Sequence, residues 1–244
     1  MNILPKRAAA LARKEIFTYL NAPAFYGVAV FFLLFCTIML FNVQRYFILN
    51  TATLRPYFSV FPLAFIIVIP VLTMKSWAEE RKTGSIELLL TMPFSEWDLV
   101  LGKFFAIFAI FGMMLGLTIP LPLTLLPLGD FDGGMIVCEY IGALLLGASA
   151  IALGLLLSAL SKNQAGSFLG CAVILLVVML VAQLTFSLNL PPWLSGIISF
   201  ISLTFHYESF AKGLIDTRDL AYFILSTVLF LFLNARVILY RKWS

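Results

Sequence analysis

Tyr140-Ile-Gly-Ala-Leu-Leu-Leu-Gly-Ala-Ser-Ala-Ile-Ala-Leu-Gly-Leu-Leu-Leu-Ser-Ala-Leu160 carries no charge, and only two serines interrupt it after its opening tyrosine. A helix rises about 1.5 Å per residue, so about 20 such residues cross a hydrocarbon core of about 30 Å. Five more stretches have the same character: Ala24 to Phe41, Tyr57 to Met74, Phe104 to Leu128, Ser167 to Leu188 and Leu220 to Leu239. All six are continuous apolar runs, whereas strands of a membrane barrel alternate. The fold expected is all-α, with six transmembrane helices over residues 24–41, 57–74, 104–128, 140–160, 167–188 and 220–239. Pro120, Pro122 and Pro127 should kink or break the third span near its far end. No small-residue cleavage site follows the first span, which therefore reads as retained rather than as a signal peptide.

Composition excludes the soluble classes. Of the 244 residues, 62% are hydrophobic and 11% charged, against about 45–50% and about 25% in a soluble domain. Cys36, Cys138 and Cys171 are odd in number and lack metal-ligand spacing. The formal charge of +4 is a matter of membrane side and not of nucleic acid. With the N-terminus in the cytoplasm, only Arg45, Arg55, Lys212 and Arg218 of the 16 basic residues fall outside. That bias is the one the positive-inside rule requires, and it places both termini in the cytoplasm.

The segments between the spans carry the remaining signal. In residues 1–23, Lys6, Arg7, Arg13 and Lys14 share one helical arc, and Leu4, Ala8, Leu11, Ala12, Ile16 and Tyr19 share the other. Such a helix lies in the cytoplasmic interface, either as a basic topology anchor or as an elbow bracing a transporter. Glu15 and Phe17 sit on the wrong arcs. Residues 75–98 form the largest and most charged cytoplasmic segment, in which Gly84 can end one helix, Ser85 can cap a short second one and Pro93 can stop it. Its apolar Ile86-Glu-Leu-Leu-Leu90 run must be covered by lipid, the bundle or another protein. Residues 161–166 form a tight turn. In the outer segment 189–219, Trp193 to Phe205 is too short to cross and should be interfacial or re-entrant. Lys212-Gly213 reads as a helix C-terminus, and Asp216 with Asp219 as a capping box opening the last span. His206 with Glu208 makes too few ligands for a metal site.

Several chemistries have no residues to carry them. No phosphate loop occurs, since Gly102-Lys103 is followed by Phe104. Hydrolase constellations are missing too. Apart from Arg236, the six apolar stretches hold no charged residue, so an ion-driven transporter lacks its usual groups. No catalytic residue and no metal ligand is therefore assigned. The rival to a transporter is a membrane anchor or scaffold of a motility, secretion or metalloenzyme-assembly apparatus.

Two stretches resemble the ABC type 2 permeases, the six-span membrane subunits of ATP-binding-cassette exporters. Trp77-Ala-Glu-Glu-Arg-Lys-Thr-Gly-Ser-Ile-Glu-Leu-Leu-Leu-Thr-Met-Pro93, continuing to Leu101-Gly-Lys103, is similar to the segment between that family's second and third spans. His206-Tyr-Glu-Ser-Phe-Ala-Lys-Gly-Leu-Ile-Asp-Thr-Arg-Asp-Leu-Ala-Tyr-Phe223 resembles the signature of the branch containing the gliding-motility permease GldF and the copper-maturation permease NosY. The resemblance covers residues 1–244 as one permease domain and implies a bacterial or archaeal plasma membrane. It implies a coupling contact with a separate ATPase through Trp77, Glu79, Glu80, Arg81, Gly84, Glu87, Leu88 and Leu89, and a smaller one through Ser161, Lys162 and Asn163. His206, Glu208, Gly213, Asp216, Arg218 and Asp219 become the outer signature. Two ATPases carrying ATP and Mg, and a second permease copy or paralogue, complete the implied transporter, with room for an accessory extracytoplasmic protein.

Overall fold

The computed structural model describes residues 4–46, 53–84, 95–187 and 191–242. Among these, every regular element is helical. Six helical stretches are long and apolar enough to cross a membrane: Pro23–Val43, Arg55–Lys82, Glu96–Leu128, Gly133–Leu160, Gln164–Val181 and Thr217–Tyr240. The chain is an all-α, multi-pass membrane protein.

The elements are α1 (Leu4–Asn21), α2 (Pro23–Ile38, continued by a π-helical turn over Met39–Val43), α3 (Arg55–Phe58), α4 (Phe61–Thr73) and α5 (Ala78–Lys82). After them come α6 (Glu96–Gly116), α7 (Pro120–Leu125), α8 (Gly133–Leu160), α9 (Gln164–Ser187), α10 (Pro192–Ile201), α11 (Leu203–Ala211) and α12 (Thr217–Lys242). The third span gives way after Gly116 and resumes at Pro120, where proline needs no N–H partner.

The middle of the bundle is α8, and its small residues explain why. A Cβ on Gly142 would overlap the ring base of Phe210 in α11, one on Gly147 the Phe111 ring in α6, and one on Gly154 Thr73 in α4. Ala143, Ser149, Ala150 and Ala152 are buried between them. Without a hydrophobic drive between helices in lipid, such close approach supplies the dispersion that holds a bundle together. Burial follows this order: 67% of the α8 span and 72% of the span containing α4 are covered, against 28% for α2, 22% for α9 and 28% for α12.

Two helices start earlier than the apolar runs do. Helix α6 opens at Glu96 behind a capping box in which Ser95 and Asp98 satisfy each other's backbone N–H, both at 3.1 Å. Helix α8 opens behind Asp132, whose carboxylate accepts from Gly134 N and Met135 N at 2.8 and 3.3 Å. These extra turns carry Lys103 and Glu139, both buried, into the helices. The six apolar runs hold no charge apart from Arg236, and these two charges sit just beyond the runs but within the bundle.

Candidate functional site

At the end of the bundle where α1 and α5 meet, a single lysine gathers three elements. Lys103 is 2% exposed. Its ammonium donates to Glu80 Oε1 at 2.6 Å, to the Ser76 carbonyl at 2.9 Å and to Glu15 Oε1 at 3.2 Å, and lies 4.9 Å from the centre of the Trp77 ring. An ammonium has three protons, and each finds an acceptor here. Glu15 interrupts the apolar arc of α1, and on that inward-facing arc it meets Lys103. The preceding residue makes the approach possible: a Cβ on Gly102 would lie 2.9 Å from Leu11 Cδ2 and 3.1 Å from the Ala8 carbonyl. Tyr19 completes the joint by donating to the Leu72 carbonyl at 2.6 Å.

A second joint ties the 75–84 stretch to the end of α8. The first N–H groups of α5 have no partners within their own helix. Ser158 Oγ accepts from Trp77 N at 3.1 Å and Ala78 N at 3.3 Å, a cap supplied from another helix. In return, Arg81 donates to the carbonyls of Ala159 and Ser161, both at 2.6 Å. A cation at that helix end also meets the negative pole of the helix dipole. The described first part of the 75–98 segment, residues 75–84, is thus held beside the start of the 161–166 turn.

Within these segments the named residues divide. Trp77 is fully buried under Lys103, while Glu80 and Arg81 bond internally. Glu79, Lys82, Thr83 and Gly84 are exposed, as are Lys162 and Asn163, and Ser161 is half-buried. Gly84 has φ +72°, the left-handed conformation that ends a helix. Glu87, Leu88 and Leu89 lie outside the described residues, as does the short helix expected between Ser85 and Pro93.

At the opposite end, His206 and Asp219 come together. His206 Nδ1 is 2.6 Å from Asp219 Oδ1, Nε2 is 3.0 Å from the Phe200 carbonyl, and the Tyr222 ring stacks on the imidazole at 3.8 Å. Tyr222 donates to the Ile201 carbonyl at 2.7 Å, and Tyr207 to that of Phe58 at 3.1 Å. Helix α11 closes with Gly213 at φ +75°, its N–H on the Phe210 carbonyl and that of Leu214 on Ser209. The capping box expected from Asp216 and Asp219 is corrected in part. Asp216 accepts from Arg218 N at 2.9 Å, but Asp219 reaches across to His206. Glu208, Asp216 and Arg218 are exposed.

A family model described as ABC-2 family transporter protein matches residues 37–236. The chain belongs to that family. Over 143 residues it is 27% identical to the probable multidrug ABC transporter permease YbhR of Escherichia coli strain K12, and equally to that of Escherichia coli O157:H7. The match covers 58% of this chain and 38% of each relative, well under half of their length. The chain is accordingly a membrane-spanning member of the ABC-2 transporter family. Within the ABC-2 range fall Arg81, Lys103, Ser158, His206 and Asp219, while α1, and with it Glu15, lies outside.

Lys103, Glu15, Ser158 and Glu139 were not legible as site residues. The first had a signal, since Gly102-Lys103 follows a Ser95-Glu-Trp-Asp98 helix start and so lies about two turns into a helix. Glu15 had one in being the charged exception on an apolar arc. Ser158 and Glu139 need the three-dimensional packing to be noticed.

Proposed function

We propose that this chain is the permease half of an exporter, coupled through its 75–98 segment and 161–166 turn to a separate ATPase that carries ATP and Mg. The observation that carries the reading is the reciprocal clasp of Ser158 on α5 and Arg81 on the end of α8, backed by the Lys103 joint. An element bonded in this way cannot be displaced alone. A push on the exposed edge at Glu79, Lys82 and Lys162 is transmitted to α1, α4, α6 and α8 as one body. Closure of an ATPase pair would draw two such bodies together and rock the bundles toward an outward-open state.

The same reading places both termini in the cytoplasm, in a bacterial or archaeal plasma membrane. A second permease, copy or paralogue, packs on α2 and α9, two of the three least covered spans. Cargo passes between the two permeases along apolar walls, which favours a lipid-like or amphipathic molecule. Helix α1 acts as the interfacial elbow, with Phe17 exposed beneath Arg13 at 5.7 Å, while α10 and α11 form the extracytoplasmic segment.

Co-purification tests the reading. Glu79→Lys should lower recovery of the ATPase with the tagged permease while membrane insertion and melting stay unchanged, because Glu79 is exposed and Glu80 is not. Full recovery with Glu79→Lys and with Lys162→Glu together would refute the assigned contact.

A further inference from the structure

A cavity of about 370 Å³ lies where α1, α2, α4 and the start of α5 meet, beside the Lys103 joint. That volume falls in the range of small-ligand sites. Its walls divide by chemistry. Lys14 and Thr18 of α1, with Lys75, Ser76 and Glu79 at the approach to α5, form a polar wall. Ala24, Phe25 and Val28 of α2, with Leu72 of α4, form an apolar one. Lys14, Thr18, Ala24 and Glu79 are exposed, so the mouth runs from charged to apolar surface. Ala24 opens the first apolar run and α1 has the pattern of an interfacial helix, which puts that mouth at the edge of the bilayer.

The charges around the cavity balance, but they are not all spent. Lys14, Lys75 and Lys103 face Glu15, Glu79 and Glu80 across it. Lys103 is committed to Glu15 and Glu80. Lys14, Lys75 and Glu79 form no ion pair among the described residues. Ser76 is an independent sign: it is 6% exposed, and its hydroxyl has no hydrogen-bond partner among the described residues. A buried hydroxyl with no partner in the fold costs stability and calls for an explanation outside the fold's own bonding.

We propose that this cavity binds the head of a phosphatidylethanolamine-type phospholipid. The phosphodiester lies between Lys14 and Lys75 and accepts from Ser76, the primary ammonium donates to Glu79, and an acyl chain runs over Phe25 and Leu72. The spacing suits that head. Glu79 N donates to the Lys75 carbonyl at 3.4 Å, so the two side chains stand one turn apart, and two carbons separate phosphate from ammonium in the lipid. A head with one charge of each sign also fits a lining whose own charges cancel. The leaflet is the cytoplasmic one if the orientation proposed above holds; the binding does not depend on it.

Native mass spectrometry of the purified, delipidated permease, without ATPase, tests the site. Dioleoyl phosphatidylethanolamine should bind about tenfold tighter than the phosphatidylcholine or phosphatidylglycerol analogue, the worth of one charge-assisted hydrogen bond. The methylated ammonium of the first analogue has no proton for Glu79, and the second has no cation. Lys14→Ala with Lys75→Ala should lower phosphatidylethanolamine affinity about tenfold, whereas Lys212→Ala with Arg218→Ala, at exposed positions of the opposite end, should not. Ser76→Ala separates binding from folding: it should lower affinity about fivefold while the delipidated permease melts no lower than the parent. Free phosphoethanolamine, lacking the apolar arm, should bind about a hundredfold more weakly than the lipid. Equal affinity for the three lipids, unchanged affinity in the double lysine variant or in Ser76→Ala, or free phosphoethanolamine binding as well as the lipid would each overturn the proposal. Glu79 also belongs to the edge assigned to the ATPase, so these variants leave it in place. Lipid affinity of the permease alone then tests this site, and ATPase recovery tests that edge.

Discussion

Lys103 illustrates what a buried charge does at the scale of a single residue. Its three protons are spent on Glu15, Glu80 and the Ser76 carbonyl, so its removal leaves two carboxylates and a carbonyl facing the space it vacates. Breaking a fully buried pair by deleting one partner costs about 3–5 kcal/mol. The glutamates are about one-fifth exposed, so solvent takes up part of that. Lys103→Met should therefore lower the melting temperature of the detergent-solubilised permease clearly, and adding Glu15→Gln with Glu80→Gln should restore most of the loss. Failure of that rescue would show that the lysine packs rather than pairs. At the other end, Asp216→Asn keeps an acceptor for Arg218 N and should melt like the parent, whereas Asp216→Ala loses a cap worth about 0.5–2 kcal/mol. Asp219→Asn should melt lower than Asp216→Asn, because Asp219 is buried against His206 and Asp216 is exposed. Equal melting temperatures for the two asparagine variants would contradict the assignment.

Among the elements, α5 and the end of α8 form one mechanical joint, and the joint makes a separable prediction. Arg81→Lys keeps the charge but not the rigid fork that reaches two carbonyls at once. It should leave assembly with the ATPase intact while weakening ATP-driven turnover, as a ratio of turnover to bound ATPase will report. Loss of binding and turnover in equal proportion would mean that Arg81 is itself a contact. The helices were legible because their signal is the apolar run, which lipid enforces on every side. Their true starts were less so, because Ser95 with Asp98, and Asp132 alone, begin helices in polar sequence before the apolar run starts. Lys103 and Glu139 were not legible for that reason: each lies next to a run, and only the helix start behind it shows that the helix extends backward past the run. The clasp was not legible at all, since Ser158 and Arg81 are 77 positions apart and nothing local marks a serine as a cap for another helix. Asp219 was assigned by local pattern to Asp216, and the longer-range partner His206 won because α11 folds back onto the first turn of α12.

At the scale of the whole molecule, α4 and α8 form a buried core, with α2, α9 and α12 around it showing apolar faces that only lipid or another chain can cover. The Lys103 joint and clasp stand at one end of α8, and the His206 and Glu139 groups at the other. A helix of 28 residues is about 42 Å long, so in the proposed mechanism it links the two groups as one rigid element. In the proposed function the partner is an ABC ATPase and the surface is the exposed edge at Glu79 and Lys162. The most direct measurement is site-directed cross-linking of the purified complex. Single cysteines at Glu79, Lys162 and Glu208, all exposed, are treated with a short bifunctional maleimide. The account predicts that Glu79→Cys and Lys162→Cys join the permease to the ATPase subunit and that Glu208→Cys does not. An ATPase adduct from Glu208→Cys, with none from the other two, would contradict it.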